Sequence, residues 1–479
     1  MRTIVIGAGM AGVAAAIRLR AAGHTDLTVY EKGDRIGGTW RENTYPGIAC
    51  DVPSHLYSYS FAPNPDWTHV FSPGTEIRDY LERVARDSGI EKDIVFGSEV
   101  TRLERRGGRW ELTTSDGRHD EAEVVIAATG VLHHPRYPDI PGLDSFGGAA
   151  FHSSRWDHSV PLEGARVGVV GTGSSAVQIV GAIVDMVGQL RLFQRTAQWI
   201  MPMANPPISA DDREAYNRDL DSLKGLRDEL ARRFFENFAN AVVDADSPEM
   251  KVIEELCRAN LEDNVADPEL RERLRPDYRA ACKRLVISSN FYQAVQRPNA
   301  VLVTDPIARI EPAGVRTTDG ALHELDVLVL ATGFRVDRFI RPVEVIGRDG
   351  VRLSEVWAER PSAYLSVSVP GFPNLFLLNG PNGPVGNFSL IEVAELQISY
   401  VLELMAALGP GSGISATRAA AEALEAERVE AGRRTIWVTG CRSWYLDDRG
   451  VPAAWPWSYQ RFRDAMSRPD LRDFELVDG

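Results

Sequence analysis

The sequence predicts an α/β fold with two similar strand–turn–helix domains, on the basis of an internal resemblance, of glycine spacing and of chain length. The unit TIVIGAGMAGVAAAIRLRAAG, followed by LTVYEKGD, resembles the later unit RVGVVGTGSSAVQIVGAIV, followed by LRLFQRTAQW. Each begins with a short apolar strand, turns on glycines, continues as a helix rich in small apolar residues, and returns as a second strand. A chain of 479 residues is too long for one ordinary core, so two or three domains are expected.

The first unit carries the spacing that a dinucleotide site requires. In GAGMAG, Gly7 permits a tight turn, Gly9 lets the backbone approach a pyrophosphate, and Gly12 lets helix and strand pack closely. Glu31 follows Gly12 by 19 residues, at the end of the second strand, where a carboxylate can accept hydrogen bonds from ribose hydroxyls. The combination predicts an FAD site in a Rossmann-like, three-layer ββα domain. The alternative is a structural glycine turn beside a surface glutamate.

The second unit repeats the spacing with the opposite charge. Its turn, GTGSSA, places Gly171 and Gly173 before Ala176, and Arg195 follows Ala176 by 19 residues. A guanidinium there attracts the 2′-phosphate that distinguishes NADPH from NADH. This contact should favour NADPH over NADH in affinity by roughly tenfold to a hundredfold. Thr196 can add its hydroxyl, and the alternative is a surface arginine that ends a strand. The unit predicts a second Rossmann-like domain that binds NADPH, with further candidate contacts from Thr172, Ser174 and Ser175.

Three further segments indicate how the rest of the chain is organised. RLERRGGRWELTTSDGRHDEAEVVIAATG and ARIEPAGVRTTDGALHELDVLVLATGF each predict antiparallel strands with glycine turns that lead into a buried strand. The segment of about residues 207–280 is charged and has helical periodicity, which predicts a helical insertion. We therefore expect a discontinuous FAD-binding domain over residues 1–145 and 330–479, and an NADPH-binding domain over residues 146–329 that contains the insertion.

Composition argues against several classes of protein. The formal net charge of −14 argues against a general affinity for nucleic acid or for an anionic membrane. No apolar run is long enough to span a bilayer, and we expect a cytoplasmic protein. The nine histidines show no HxH or HExxH spacing, so no metal site is predicted. The cysteines are scattered without a CxxC pair, which argues against a redox dithiol, a zinc site or a disulfide framework. We interpret Cys50 and Cys282 as small buried side chains that only fill space in the core.

The connection between the two units carries a more specific motif. FGGAAFHSSRWD matches FxGxxxHxxxWD through Phe146, Gly148, His152, Trp156 and Asp157. With this motif the chain resembles the type I Baeyer–Villiger monooxygenases, within the flavin-containing monooxygenase superfamily. The tryptophan and aspartate that end the motif favour the ketone-oxidising branch. We interpret the histidine as a hydrogen-bonded structural residue that joins two interdomain connections.

The resemblance extends over nearly the whole chain and implies roles for particular residues. The segment GGTWRENTYPGIACDVPSHLYSYSF is similar to the family's flavin segment. ACKRLVISSNFYQAVQRPNAVLV implies that Lys283 contacts the NADPH phosphate and that Arg284 is catalytic, and GCRSWYL implies that Trp444 approaches NADP. The segment after Trp444, DDRGVPAAWPWSY, departs from the family pattern. The flavin segment implies cofactor contacts from Gly38, Thr39, Trp40, Asp51 and Tyr57.

The resemblance also implies a reaction. NADPH reduces FAD, the reduced flavin takes up O₂ as a C4a-peroxide, and the deprotonated peroxide attacks a ketone to give an ester or a lactone. A permanent cation beside the flavin would stabilise the negative oxygens, which suits Arg284, and Asp51 would orient it. The residues leave other interpretations open: Asp51 as a helix N-cap, and Lys283 with Arg284 as a solvated pair at a helix end.

Two alternative functions also remain at this stage. One is a sulfur- or nitrogen-oxygenating flavin monooxygenase, in which no catalytic arginine is required. The other is a flavoprotein electron carrier or disulfide reductase, although the absence of a CxxC motif counts against the reductase. The predicted partners are a small-molecule ketone and O₂, and the sequence does not indicate an oligomeric state.

Overall fold

The computed structural model describes residues 1–386 and 388–477. In chain order the strands are β1 (Thr3–Ile6), β2 (Leu27–Tyr30), β3 (Ile94–Val95), β4 (Val100–Arg106), β5 (Arg109–Thr114), β6 (His119–Ala122), β7 (Val124–Ala127), β8 (Ala149–His152), β9 (Arg166–Val170), β10 (Gln189–Phe193), β11 (Ile200–Met201), β12 (Val286–Ile287), β13 (Ala300–Val303), β14 (Ile307–Glu311), β15 (Gly314–Thr317), β16 (Leu322–Glu324), β17 (Val327–Leu330), β18 (Glu344–Ile346), β19 (Leu375–Leu377), β20 (Gly413–Ala416) and β21 (Phe474–Val477).

The α-helices vary widely in length. In chain order they are α1 (Met10–Ala21), α2 (Thr39–Glu42), α3 (Gly74–Asp87), α4 (Ser174–Ile183), α5 (Ala210–Arg218), α6 (Leu220–Phe234), α7 (Pro248–Asn264), α8 (Pro268–Leu274), α9 (Phe291–Val295), α10 (Leu353–Val356), α11 (Leu390–Ala406), α12 (Arg418–Gly432) and α13 (Tyr459–Ser467). No helix in the described part of the chain combines the length and the apolar character needed to cross a bilayer.

The first parallel sheet has five strands in the order β19-β7-β1-β2-β3. All four residues of β1 are buried, because neighbouring strands cover both edges and packed elements cover both faces. Helix α1 packs beside α11 on one face. Strand β19 pairs in parallel with β7, so residues from the late part of the chain lie in the same sheet as the N-terminal strands. The glycine turn that follows the central strand β1 therefore lies at the carboxyl edge of the sheet.

The second parallel sheet also has five strands, in the order β13-β10-β9-β17-β8. Its central strand β9 leads into the second glycine turn, and α4 follows as the first crossover helix. The motif between the two units supplies the edge strand β8, which pairs in parallel with β17. The two sheets therefore repeat one α/β arrangement, with a glycine turn after an interior strand of each.

Two further sheets are built around antiparallel meanders. Strands β4, β5 and β6 form one meander, to which β18 adds by pairing in parallel with β4, and β14, β15 and β16 form the other. Each meander leads directly into a buried parallel strand, β7 in the first case and β17 in the second. The glycine turns in these segments connect the antiparallel strands, as the sequence indicated.

Helices α5 to α8 lie in the segment that the sequence predicts as a helical insertion. Local sequence determines where they begin, because the side chain before each helix accepts a hydrogen bond from a first-turn amide. Proline occupies the first turn of α7 and of α8, where its missing N–H costs no helical hydrogen bond. The capping side chains are Ser209, Asp219, Ser247 and Asp267.

The structure corrects the interpretation of the cysteines. Cys282 and Cys441 form a disulfide across a separation of 159 residues, with their α-carbons 6.2 Å apart. The expectation of no disulfide and of Cys282 as a filler was wrong, because sequence spacing does not report which segments pack together. Cys50 and Cys257 are free and buried, and Cys50 fits the filler interpretation.

Candidate active site

The first glycine turn leaves the amino end of α1 open to an anion. Gly7 has φ +103°, a conformation that favours glycine, and a Cβ on Gly12 would lie 1.8 Å from the Gly7 carbonyl oxygen. Gly9 is the residue before α1, and no side chain caps the helix. The first-turn amides of α1 therefore remain available to a pyrophosphate.

Glu31 lies beside this turn, as the spacing predicted, and is nearly fully buried. Its Oε2 accepts a hydrogen bond of 2.7 Å from the Ala8 amide, and its Oε1 accepts 2.7 Å bonds from the Gly33 amide and the Arg41 guanidinium. A carboxylate offers about four acceptor positions, so the site retains capacity for a further donor such as a ribose hydroxyl. Arg41 is a neighbour that the sequence reasoning missed, since its spacing follows no motif.

The predicted flavin segment packs directly on the first glycine turn. Gly38 has φ +53°, and a Cβ there would lie 2.9 Å from the Gly9 α-carbon. Helix α2 begins at Thr39, and the Trp40 Nε1 donates a 3.2 Å hydrogen bond to the Tyr57 hydroxyl. The structure thus brings together residues that lie up to 48 positions apart in the chain, from Gly9 to Tyr57.

The second glycine turn has the same backbone form as the first, and its middle glycine, Gly173, is less closely packed than Gly9. Gly171 has φ +118°, and no atom lies within 4 Å of a Cβ placed on Gly173. Helix α4 begins at Ser174 without a side-chain cap. The Thr172 hydroxyl donates a 2.7 Å hydrogen bond to the Thr196 carbonyl oxygen, which ties the turn to the end of β10. This geometry fits a second phosphate-bearing ligand.

Two cations approach each other beside the second turn. Burial lowers the pKa of Lys283, and the nearby charge of Arg195 lowers it further. The Lys283 Nζ lies 4.6 Å from the centre of the Tyr278 ring, which holds the ammonium by a cation–π contact. Arg195 itself is exposed. Two neighbouring positive charges repel each other, so an anion with several negative oxygens is the ligand that this arrangement favours.

Arg284 and Asp51 form an ion pair within hydrogen-bonding distance. The guanidinium also donates to the Gly386 carbonyl oxygen. Burial lowers the pKa of Arg284, but Asp51 and the Tyr445 hydroxyl more than compensate, so the pKa is raised overall and the side chain stays cationic. Residues 51–58 and 282–285 are not helical, so the alternatives of a helix N-cap and of a helix-end pair were both wrong.

The segment that carries Asp51 is hydrogen-bonded to α4, the helix that follows the second glycine turn. The Tyr45 hydroxyl lies 2.9 Å from the Gln178 Oε1 and accepts a 3.1 Å hydrogen bond from Ser175. Gln178 also donates through Nε2 to the Ala49 carbonyl oxygen at 3.0 Å. Sequence reasoning missed this contact, although Ser175 stands in the second glycine motif. It sets the position of the Asp51 segment relative to the second turn.

Trp444 and the interdomain motif complete the set of predicted residues. Trp444 is 39% exposed, and its ring centre lies 4.1 Å from that of Tyr445, which approaches Arg284. His152 is fully buried, accepts a hydrogen bond from the Ser154 amide through Nδ1, and lies 3.0 Å from the Gly333 carbonyl oxygen through Nε2. The histidine therefore joins the two interdomain connections, as the sequence interpretation held.

Comparison with known proteins places this geometry among flavoproteins. Residues 4–218 match a family model described as pyridine nucleotide-disulphide oxidoreductase. The chain is 46% identical to an uncharacterised monooxygenase of Mycobacterium tuberculosis, covering 98% of this chain and 95% of that protein. It is 42% identical to a Baeyer–Villiger monooxygenase of Streptomyces coelicolor (100% and 93% covered) and 36% identical to one of Pseudomonas aeruginosa (99% and 91% covered).

Solved structures resemble the chain over its full length. A cyclohexanone monooxygenase from Rhodococcus bound to NADP⁺ superposes with a TM-score of 0.89 at 29% identity, covering 100% of this chain and 99% of that one. An oxidised steroid monooxygenase bound to NADP gives a TM-score of 0.89 at 30% identity with the same coverage. These likenesses support an α/β flavoprotein fold of two domains.

Proposed function

The chain belongs to the Baeyer–Villiger monooxygenases, and on that premise we propose how its residues divide the work of the reaction. The enzyme uses FAD and NADPH to insert one oxygen atom of O₂ next to a ketone carbonyl, which yields an ester or a lactone. When bound, NADPH supplies the hydride and FAD carries the activated oxygen. The protein therefore contributes binding, orientation and fixed charge.

We propose that the two parallel sheets are Rossmann-like units of the three-layer ββα type, the first for FAD and the second for NADPH. The FAD-binding domain would comprise residues 1–145 and 330–479, and the NADPH-binding domain residues 146–329. Three features of the chain support this assignment: the uncapped amino ends of α1 and α4, the acceptor Glu31 at the first turn, and the paired cations Arg195 and Lys283 at the second.

We propose that Arg284 is the catalytic cation. Asp51 holds one side of its guanidinium and Gly386 accepts from another nitrogen, so the cation has a fixed orientation. The attacking oxygen is anionic, and the ketone oxygen becomes anionic when it is attacked, and a preorganised guanidinium stabilises that charge more than water does. Asp51 orients Arg284, whose side chain remains 29% exposed and so can reach a ligand. The Asp51–Arg284 pair is the observation that supports this division of roles.

The alternative of sulfur or nitrogen oxygenation is not favoured. A fixed arginine beside the substrate is useful for stabilising an anionic adduct, and the named relatives over the full chain are Baeyer–Villiger enzymes. The electron-carrier or disulfide-reductase alternative is not favoured either, because these relatives are monooxygenases.

Labelled oxygen tests the proposal directly. The purified protein, supplied with FAD and NADPH, is offered a panel of cyclic, linear and aromatic ketones under ¹⁸O₂. We expect products heavier than the ketone by one ¹⁸O atom, with NADPH consumed in step. The Arg284→Ala variant should still bind both cofactors and yet form no ester. Ester formation by that variant at the unaltered rate would refute the role of Arg284.

A further inference from the structure

We propose that Tyr445 is a positioning residue for Arg284, an inference that rests on the function proposed for Arg284. Tyr445 is buried, with 3% of its surface exposed. A Cβ placed on Gly386 would lie 2.0 Å from the Tyr445 hydroxyl oxygen and 2.8 Å from the Arg284 Nη1. The hydroxyl and the guanidinium therefore converge on one backbone position, and Arg284 also donates to the carbonyl oxygen of that same glycine.

The Tyr445 ring packs against two tryptophan rings, and its backbone is hydrogen-bonded. Its centre lies 5.0 Å from that of Trp437, with the planes 21° apart, and 4.1 Å from that of Trp444. The Tyr445 carbonyl oxygen accepts a 2.7 Å hydrogen bond from the Ala453 amide. The hydroxyl cannot swing away from Arg284 without unstacking these rings.

A covalent bond joins the two segments that meet here. Cys282, two positions before Arg284, is bonded to Cys441, four positions before Tyr445. The backbone that carries the guanidinium and the backbone that carries the hydroxyl are therefore linked close to the point of contact. The relative position of Arg284 and Tyr445 is fixed by covalent connection as well as by packing.

A phenol suits this position better than a carboxylate would. The guanidinium has five N–H donors, of which Asp51 and Gly386 engage two. A neutral oxygen can accept a third bond without cancelling the positive charge that the reaction requires. Burial raises the pKa of Tyr445 although Arg284 opposes this, so the phenol stays protonated. Tyr445 thus orients the cation and leaves its charge available.

The test replaces the hydroxyl alone. In Tyr445→Phe we expect product formation per NADPH consumed to fall roughly three- to tenfold, the range that one lost neutral hydrogen bond implies, with KM for NADPH changed by less than about twofold. Hydrogen peroxide should account for the difference. The matched control is Tyr364→Phe, whose hydroxyl pairs with Asp473 instead. Unaltered coupling in Tyr445→Phe would overturn the proposal.

A second readout needs neither ketone nor turnover. In ¹⁵N-labelled protein, the Arg284 Nε–H signal is assigned by its loss in Arg284→Lys, and its hydrogen-exchange rate is measured. We expect exchange to rise roughly three- to tenfold in Tyr445→Phe and to stay unchanged in Tyr364→Phe. If the exchange rates of Arg284 change as expected but the unaltered protein forms no ester, the result counts against the proposed function and not against the positioning role of Tyr445.

If Tyr445→Phe does not fold, Gly386→Ala replaces it. The added methyl group would occupy the point that Tyr445 and Arg284 share, so it must separate them. Faster Arg284 exchange in this variant supports the proposal. Unchanged exchange overturns it, because the contact would then have no influence on the guanidinium.

Discussion

Arg284 and Asp51 lie 233 positions apart in the chain, yet their side chains form an ion pair. Asp51 belongs to the segment that packs beside the first glycine turn, and Arg284 lies two positions before β12, which pairs with β11. The pair therefore connects the flavin segment with the segment that carries Lys283. One carboxylate therefore fixes the cation between two segments that are distant in the chain.

Removal of the Asp51 carboxylate should impair catalysis more than cofactor binding. In Asp51→Ala we expect kcat for ketone oxidation to fall on the order of tenfold to a hundredfold, because the guanidinium loses its main orienting partner. Steady-state kinetics with NADPH and a ketone measure the change. Arg297→Ala, which breaks an exposed pair with Asp185, is the control. Equal rates in Asp51→Ala and the control would contradict the assigned role.

Arg195 should determine the choice between NADPH and NADH. In Arg195→Ala we expect the ratio of kcat/KM for NADPH over NADH to fall roughly tenfold to a hundredfold, because the charge-assisted contact to the 2′-phosphate is lost. The kcat/KM for NADH should stay nearly constant. Arg191→Ala, on strand β10 just before Arg195, serves as the matched control. If the ratio is unaltered in Arg195→Ala, the 2′-phosphate of NADPH does not bind at Arg195.

The lowered pKa of Lys283 predicts a pH dependence of NADPH binding. The ammonium is charged below its pKa, so attraction to the phosphate is present at low pH and disappears as the pH rises through that lowered value. The kcat/KM for NADPH should therefore decline at a lower pH than the ordinary lysine pKa of 10.5 would give. Lys283→Arg should flatten the decline, because a guanidinium stays charged at these pH values. A decline of equal steepness in Lys283→Arg would assign the titration to another group.

His55 should make the protein less stable in acid. Burial lowers its pKa from 6.5 to about 4, and its ring packs against that of Tyr216. The folded state keeps the His55 ring neutral, so between pH 6.5 and about pH 4 the unfolded state binds more protons than the folded state does. Its contribution to stability is complete above pH 6.5 and is lost as the pH falls toward 4.

Urea unfolding at several pH values measures this effect. His55→Gln should lose less stability between neutral pH and about pH 4.5 than the unaltered protein. His119→Gln, at an exposed position on β6, should retain the original slope. The interpretation fails if the two variants show the same pH dependence.

The disulfide should stabilise the fold measurably. In Cys441→Ala we expect the free energy of unfolding to fall by about 2–4 kcal/mol, since the bond closes a long loop in the unfolded chain. A reducing agent should lower the melting temperature of the unaltered protein and leave Cys441→Ala unchanged. Cys257→Ala, which removes a buried free thiol, is the control. A melting temperature of the unaltered protein that does not respond to reduction would contradict this expectation.

Local patterns predicted much of the candidate site. The motifs that contain Gly12 and Gly173 identified the two turns, because such turns require glycine. The identical spacing of 19 residues then placed Glu31 and Arg195 after the second strand of each unit. A strand, a turn and a helix of ordinary length determine such positions without any distant contact. The helices near residues 207–280 were also predictable, because helical periodicity and N-cap residues are local signals.

The tertiary structure alone decided how the distant segments meet. The disulfide between Cys282 and Cys441, the contact of Tyr45 with Gln178 and the approach of Tyr445 to Arg284 each join segments more than 100 positions apart. No periodicity in the chain records such distances, because they result from the packing of both domains. The sequence by itself therefore determined the two glycine turns and the opposite charges, Glu31 and Arg195, that follow them. Packing decided what surrounds Arg284, since long-range contacts form only when the whole core is assembled.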